Sequence, residues 1–189
     1  LCRFCSEGSY RRSTRVVVIS ELSGRARVLP DRVNTDYIIS SIRKKESLDP
    51  HELKQWLLEG VDPNFAASVQ PGDMLVAGEA FGCGSAMEVA VTVVIAVGIP
   101  AVVAKSFSRT YYRNAINNGL IPVECDTTGI REGDHISVRF EDDGIFVINE
   151  TAGTKSSAKG LPRFVQGILE AGGLVAYLKQ HGEFPEGPR

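Results

Sequence analysis

Short apolar runs separated by polar, glycine-rich and proline-rich segments divide the chain into strands and helices. Five of these runs predict strands, at residues 15–20, 24–30, 74–78, 101–104 and 120–123. Residues 133–149 alternate apolar and polar side chains around Asp142-Asp143-Gly144, which predicts a β-hairpin. The strands outside the central region therefore have an antiparallel character.

Helical patterns lie between and after these strands. The predicted helices cover residues 49–58, 85–97, 161–171 and 173–181, and one more helix follows Ser106 and Ser108 and ends at about residue 117. Residues 43–47 are predicted as a basic loop, and residues 34–36 as a polar turn that leads into a short apolar piece. The strand–helix–strand–helix order from 74 to 124 requires a parallel βαβ crossover, so we expect one mixed α/β domain.

We expect this domain to span residues 15–181, between a disordered tail at 1–14 and a C-terminal tail at 182–189. The chain of 189 residues is 43% hydrophobic and 23% charged, which is typical of a globular domain. Its net charge of −2 argues against a nucleic-acid binder, and no apolar run reaches the roughly 18 residues of a membrane span. Four scattered cysteines do not suit a disulfide scaffold, so we expect a reducing compartment, the cytoplasm or an organelle matrix.

The segment at 78–90 is the most informative part of the sequence. It leads from a predicted strand through three closely spaced glycines into an apolar helix. Ser85 stands where the helix N-cap is expected, and Glu88 follows three residues later as in a capping box. A helix N-terminus suits a carboxylate or a phosphate, and the carboxyl end of a strand in an open α/β sheet is where ligands bind.

The residues alone leave three roles open for Ser85: a nucleophile, a general base in its alkoxide form, or a helix cap. The sequence Gly82-Cys83-Gly84-Ser85-Ala86 fails the G-x-S-x-G pattern of a nucleophile elbow. No Gly-Lys-Ser/Thr follows it, so it is not a P-loop either. The three histidines lie in polar segments, which argues against a Ser-His pair within this chain.

Other polar groups could share a site with Ser85 or could be structural. Asn34-Thr35-Asp36 is either an Asx turn or helix cap, or a carboxylate directed into that site. The cations Arg43, Lys44 and Lys45, and the helically spaced set Lys105, Arg109 and Arg113, are solvated faces or partners of an acidic substrate. Cys2 and Cys5 form a lone C-x-x-C pair, and the chain has no other spacing typical of metal ligands.

Several motifs in consistent order make the chain resemble the small subunits of isopropylmalate isomerase and homoaconitase, which correspond to the swivelling domain of the aconitase family. Residues 34–39 match the motif Asp-Thr-Asp-x-Ile-Ile except that Asn34 stands at its first position, and residues 71–73 match Pro-Gly-Asp. Residues 81–90 match Phe-Gly-Cys-Gly-Ser-Ser-Arg-Glu-His-Ala, with three differences. Residues 104–120 and 164–174 match two further segments of the family, so the resemblance spans roughly residues 15–180.

The resemblance implies a swivelling β/β/α domain, an α/β fold in which a mixed sheet has a parallel βαβ core. It also implies a large partner subunit that holds a [4Fe–4S] cluster, with no metal bound by this chain. The reaction would be the dehydration and rehydration of a 2-hydroxy di- or tricarboxylate, a hydro-lyase activity of amino-acid biosynthesis such as the leucine pathway.

The resemblance also implies roles for individual residues. Ser85 corresponds to the alkoxide base, and Thr35 and Asp36 correspond to residues beside it. Residues 40–47 correspond to the loop that reads the variable substituent of the substrate, so Arg43, Lys44 and Lys45 become substrate-binding candidates. Gly84, Ala86 and Met87 occupy further substrate-binding positions.

Three departures from the family motif affect the charge of the site. Ala86 and Met87 replace Ser-Arg, and Val89 replaces His. Methionine offers neither the charge nor the hydrogen-bond fork with which arginine pairs with a carboxylate. Three consequences remain open. The substrate lacks that carboxylate, or another cation of this chain such as Arg43, Lys44 or Lys45 replaces the arginine, or the chain is a catalytically degenerate subunit that binds or regulates the large subunit.

Overall fold

The computed structural model describes residues 20–141 and 143–182, which form one seven-stranded mixed sheet with helices on both faces. The strands are β1 (Glu21–Val28), β2 (Met74–Ala77), β3 (Ala101–Ala104), β4 (Ile121–Glu124), β5 (His135–Glu141), β6 (Gly144–Asn149) and β7 (Thr154–Ala158). The helices are α1 (Thr35–Ile38), α2 (Ser41–Glu46), α3 (Pro50–Leu53), α4 (Phe65–Ser68), α5 (Val89–Ala96), α6 (Arg109–Asn118), α7 (Arg163–Glu170) and α8 (Leu174–His181). A 3₁₀ turn, Lys54–Trp56, follows α3.

The strand order β4-β3-β2-β1-β5-β6-β7 joins a parallel half to an antiparallel half at β1. β1 pairs in parallel with β2, where Ala26 lies opposite Met74, and antiparallel with β5, where Glu21 lies opposite Arg139. α5 connects β2 to β3, and α6 connects β3 to β4, so each forms a crossover between parallel strands. The predicted mixed α/β domain with a parallel βαβ core is confirmed.

Two apolar clusters cover the two faces of the sheet. Side chains along β2 and β3 alternate between them: Leu75 and Val102 face the cluster of α5, whereas Val76 and Val103 face the cluster of α7. Every residue of β2 and β3 is buried, which explains why these strands are continuous apolar runs in the sequence. Because these strands are buried on both faces, their ends are held in place, and the loops that follow them begin from defined positions.

Several predicted elements differ from the structure. The basic stretch at 43–47 is mostly helical rather than a loop, because Ser40 caps α2 by accepting a hydrogen bond from the amide of Ile42 at 3.2 Å. The predicted helix at 49–58 is only α3 and the 3₁₀ turn, and Leu58 has a positive φ of 57° that ends it. The edge strand β7 was not predicted, since its sequence Thr-Lys-Ser-Ser-Ala is polar.

Some predictions concern parts of the chain that the structure does not describe. The strand at 15–20 and the tail at 1–14 lie there, apart from Ser20, as does nearly all of the tail at 182–189 and the C-x-x-C pair. Within residues 20–141 and 143–182, no helix combines the length and the apolar character needed to cross a membrane.

Candidate functional site

The glycine segment after β2 meets the Asn34–Asp36 segment after β1 at the carboxyl edge of the parallel strands. The amide of Thr35 donates to the carbonyl of Cys83 at 2.8 Å, and the amide of Gly82 donates to the carbonyl of Val33 at 2.8 Å. The Thr35 hydroxyl donates to the carbonyl of Ser85 at 3.1 Å. These bonds bring the two predicted site segments together.

Glycine is required at two positions of the loop. Gly82 has φ of 72°, and a Cβ there would lie 2.2 Å from Cγ of Tyr111. Gly84 has φ of 103°, and a Cβ there would lie 2.4 Å from the side-chain oxygen of Asn34. Both the left-handed backbone and the close approach of a neighbouring side chain exclude a larger residue.

Two serines that precede α6 hold the loop from the other side. The Ser106 hydroxyl accepts from the amide of Ala80 at 2.9 Å, and the Ser108 hydroxyl donates to the carbonyl of Gly82 at 2.5 Å. The sequence places these serines before the helix, and neither belongs to the predicted site. Their spacing, with Ser108 at the N-cap of α6, is the signal that could have identified one of them.

An edge-to-face aromatic cluster supports this part of the loop. Phe81 contacts Phe107 and Tyr111 with centroid distances of 6.0 Å and 5.0 Å. Tyr111 is buried, its hydroxyl donates to the carbonyl of Ala90, and burial raises its pKa. The ring cluster leaves the loop between Ala80 and Gly84 little freedom to move.

Ser85 lies exposed at the end of this loop, and it is not the N-cap of α5. The helix begins at Val89, its N-cap is Glu88, and neither Ser85 nor Glu88 makes a capping hydrogen bond with its side chain. The predicted capping box is therefore wrong, because residues 85–88 continue as loop before the first helical turn. The Ser85 hydroxyl has no hydrogen-bond partner among the described residues.

A row of unpaired backbone donors surrounds Ser85 instead. The amides of residues 84–89 donate to no group within the described part of the chain. Successive free N–H groups of this kind favour negative charge. The segment therefore retains an anion-stabilising character although Ser85 is outside the helix.

Asn34 has the capping role that the sequence left open. Its side-chain oxygen accepts from the amide of Asp36 at 2.9 Å, and it caps the short helix α1. Asp36 itself is exposed, and its carboxylate accepts a hydrogen bond from the hydroxyl of Ser41 at the start of α2. Asp36 therefore links the candidate site to the helix that carries the basic residues.

The three basic residues of α2 differ in their surroundings. Arg43 stacks on Trp56 at 3.6 Å from the ring centroid and pairs with Glu59 at 3.1 Å. The carboxylates of Glu59 and Glu46 hold the pKa of Arg43 above its usual value. Lys44 and Lys45 are exposed and form no ion pair with residues 20–141 or 143–182.

The positions that replace the family's Ser-Arg pair also differ from each other. Ala86 is exposed beside Ser85, whereas Met87 is 4% exposed and belongs to the apolar cluster under α5. Val89 is buried in the same cluster. Met87 and Val89 therefore extend the apolar core under the loop.

The described cysteines do not form a cluster-binding site. Cys83 is partly exposed beside Ser85, whereas Cys125 is buried, and burial together with Asp126 raises the pKa of its thiol to about 12. Across residues 20–141 and 143–182, no three His, Cys, Asp or Glu residues lie together as metal ligands. A [4Fe–4S] cluster needs about three or four thiolates, so these residues do not fit one.

Comparisons with known proteins agree with this architecture. The family model of the aconitase C-terminal domain matches residues 40–128. The methanogen homoaconitase small subunit of Methanocaldococcus jannaschii is 45% identical over 160 residues, which cover 84% of this chain and 92% of that protein. The 3-isopropylmalate dehydratase small subunit of Caldicellulosiruptor bescii is 45% identical over 158 residues, which cover 82% of this chain and 93% of that protein.

A solved structure gives the same result for the fold. The crystal structure of 3-isopropylmalate dehydratase from M. jannaschii superposes with a TM-score of 0.80 at 41% identity, and covers 86% of this chain and 95% of that one. Sequence and fold thus agree over most of both chains. This chain belongs to the aconitase-family hydro-lyases, as a member of the small-subunit family that includes the 3-isopropylmalate dehydratase and homoaconitase small subunits.

Proposed function

We propose that this chain completes the active site of a heteromeric hydro-lyase in which Ser85 is the base. The substrate is a 2-hydroxy di- or tricarboxylate, and the partner is a large subunit that carries a [4Fe–4S] cluster. The observation that carries the proposal is the convergence of Ser85, Thr35 and Asp36 at one sheet edge in a chain of this family. The homoaconitase and isopropylmalate dehydratase names of the relatives define the class of substrate.

To act as a base, the exposed Ser85 must first release its hydroxyl proton to solvent water, and its surroundings support the resulting anion. The amides of residues 84–89 have no acceptor within the described part of the chain, and free N–H groups along this loop would support an anion there. Thr35 holds the Ser85 backbone through the 3.1 Å hydrogen bond to its carbonyl. When the large subunit covers this exposed loop, water would be excluded, and the electrostatic interactions of the loop amides and of Thr35 would become stronger.

The alkoxide of Ser85 then takes the proton from the carbon adjacent to the one that bears the hydroxyl group. The electrons of that C–H bond form the C=C bond of the enoate, the C–O bond breaks, and the hydroxyl group leaves as hydroxide, which the Lewis-acid iron of the large subunit's cluster would accept. In the reverse direction, the Ser85 hydroxyl returns the same proton. The described residues of this chain offer no ligands for the cluster, whose chemistry belongs to the large subunit. This chain therefore contributes the proton transfer and part of the substrate binding.

The charge that recognises the substrate would come from Lys44 and Lys45. Met87 is buried and uncharged, and Arg43 is already paired with Glu59 and stacked on Trp56. Lys44 and Lys45 are exposed on α2, which Ser41 joins to Asp36. An acidic substituent on the substrate suits these two lysines better than an isopropyl group does.

The test is anaerobic co-expression with the large subunit encoded in the same genome, followed by a scan of 2-hydroxy di- and tricarboxylates for enoate absorbance. Ser85→Ala should lower kcat by about 10²- to 10⁴-fold, the range expected for loss of a general base. Ser157→Ala on the exposed edge strand β7 is the matched control and should keep the full rate.

Two outcomes would contradict the proposal in different ways. A Ser85→Ala complex with the wild-type rate would remove Ser85 from the chemistry. A wild-type complex that assembles with its cluster and turns over no 2-hydroxy acid would favour the degenerate, regulatory subunit instead.

A further inference from the structure

A cleft of about 430 Å³ opens at the same sheet edge, two strands away from the Ser85 loop. It lies between the first turns of α6 and the end of β4. Its lining residues are Phe107, Arg109, Tyr112, Arg113, Glu124 and Lys159. Neither the proton transfer nor the substrate binding proposed above uses any of them.

The cleft is a concentration of positive charge in a chain whose net charge is −2. Glu124 is its one carboxylate, and it is already paired with Lys159 at 3.0 Å. Arg109 and Arg113 are exposed and pair with no carboxylate of residues 20–141 and 143–182. Their spacing of four places two like charges one turn apart on α6, which destabilises an isolated helix. The charges of this pair therefore do not stabilise α6 through an i, i+4 ion pair.

The floor of the cleft is aromatic and rigid. Phe107 contacts Tyr112 edge to face at 5.8 Å and lies parallel to Tyr111 at 6.4 Å. Tyr112 is half-buried, and burial together with Glu124 raises its pKa, so its hydroxyl stays protonated as a donor. Arginine and tyrosine at a preformed surface are the residue types enriched in the energetic centres of protein interfaces.

The position of the cleft favours a protein surface over a small anion as its occupant. β2 and β4 are separated by two strand spacings, about 10 Å, so a subunit that covers Ser85 also reaches the cleft. The Glu124 carboxylate in the lining, although it is paired with Lys159, disfavours an anion that enters the cleft itself. The exposed arginines can instead reach carboxylates that project from a facing surface.

We propose that this cleft docks an acidic segment of the large subunit, with Arg109 and Arg113 as its main contacts. The inference rests on the proposed function, because it takes the large subunit as the partner. It assigns an assembly role to a surface that is separate from the reacting groups. Charge pairing of this kind raises the rate of association and makes it sensitive to salt.

The test measures the dissociation constant between this chain and the cluster-loaded large subunit, under anaerobic conditions at about 50 and 300 mM NaCl. Arg109→Glu and Arg113→Glu should each weaken association at least tenfold at low salt. High salt should weaken the association of the wild type and thereby narrow this difference, since screening removes the attraction. At a saturating concentration of small subunit, both variants should approach the wild-type kcat.

Lys54→Glu is the matched control, because it makes the same change in charge at an exposed position. Lys54 lies beside Pro71 and Gly98, which precede β2 and β3 at the opposite edge of the sheet. Its substitution should leave the dissociation constant unchanged.

If both arginine variants bind the large subunit as tightly as the wild type does, and the complex is active, the docking role is wrong and the proposed function still stands. A wild-type chain that fails to associate would overturn the proposed function and this inference together. Citrate added to the isolated small subunit tests the small-anion alternative. The docking role would also be wrong if the small subunit binds citrate tightly and Arg113→Glu abolishes that binding without changing the dissociation constant for the large subunit.

Discussion

Gly82 has the strictest steric requirement of the residues at the candidate site. Its amide donates to Val33, its carbonyl accepts from Ser108, and the ring of Tyr111 lies against its Cα. Any side chain at this position would push the ring into the buried aromatic cluster or force the loop away from it. Gly72 also has a positive φ, of 92°, but a Cβ there would contact nothing within 4 Å.

The comparison of these two glycines separates backbone strain from packing. Gly72→Ala should lower the free energy of unfolding by about 1 to 2 kcal/mol, the cost of a left-handed conformation for alanine. Gly82→Ala should cost about 3 kcal/mol or more, because overpacking adds to that strain. Urea unfolding of the two variants measures both values, and equal losses would show that the Tyr111 contact is unimportant.

At the residue scale, the cations proposed to bind the substrate are the exposed Lys44 and Lys45 of α2. Double substitution Lys44→Ala/Lys45→Ala should lower kcat/KM for a substrate with an acidic substituent by at least tenfold, through KM, since two exposed cations are lost. The value for an isopropyl-substituted substrate should change little. Lys179→Ala on α8 is the control, and an equal loss for both substrates would refute the assignment to Lys44 and Lys45.

The sequence predicted which candidate residues lie close together better than it predicted their environments. Ser85 and Thr35 do lie together, because the ends of parallel strands meet at one edge of a sheet. The burial of Met87 and the pairing of Arg43 with Glu59 were not predictable, since both depend on contacts between residues distant in sequence. The capping box failed for a similar reason: four loop residues follow Gly84 before α5 begins.

At the scale of elements, burial decided which predictions succeeded. β2, β3 and β4 were predicted to within about one residue, because strands buried on both faces are short apolar runs with clear ends. β7 was missed because a solvated edge strand needs no apolar pattern. α1 and α2 were missed because each is a short helix whose ends depend on a single capping side chain.

An ion-pair network joins β1, α4 and the residue that precedes β2. Arg25 donates to Asp73 at 2.7 Å and to the carbonyl of Ser68 at 3.0 Å, and Arg27 lies 3.7 Å from the same carboxylate. Burial by itself raises the pKa of Asp73, but hydrogen bonds from Arg25 and from the amide of Gln70 outweigh it and hold the pKa below its usual value. Ionised Asp73 is therefore favoured in the folded state.

This network should make the stability fall in acid. The contribution of Asp73 is complete above its unfolded pKa of about 3.9 and is lost as the pH falls through its lower folded pKa. Asp73→Asn should lower the free energy of unfolding by about 2 kcal/mol or more near neutral pH. It should also reduce the loss of stability between about pH 5 and pH 2, as measured by denaturant unfolding at each pH.

Glu141→Gln provides the comparison at an exposed ion pair. The Glu141 carboxylate lies 3.9 Å from the Lys155 ammonium in solvent, so the substitution should lower the free energy of unfolding by less than about 1 kcal/mol. An Asp73→Asn variant as stable as Glu141→Gln would show that the network contributes little.

At the scale of the whole molecule, β1 separates the half of the sheet that carries the candidate site from the half that does not. The parallel half carries the Ser85 loop and the cationic cleft at its carboxyl edge. The antiparallel half, with β5, β6 and β7, packs under α7 and supplies none of the candidate site residues. This division was predictable as a fold class, because alternating and continuous apolar patterns distinguish the two halves.

The hydrogen bonds of Ser106 and Ser108 have a mechanical consequence. The same short segment that begins α6 fastens Ala80 and Gly82 on one side and positions Arg109 and Arg113 on the other. Residues 106–108 therefore connect the first turn of α6 to the Ser85 loop through two hydrogen bonds and a cluster of aromatic rings. The proposed assembly surface and the reactive loop thus share one anchor, although the arginines themselves take no part in the chemistry.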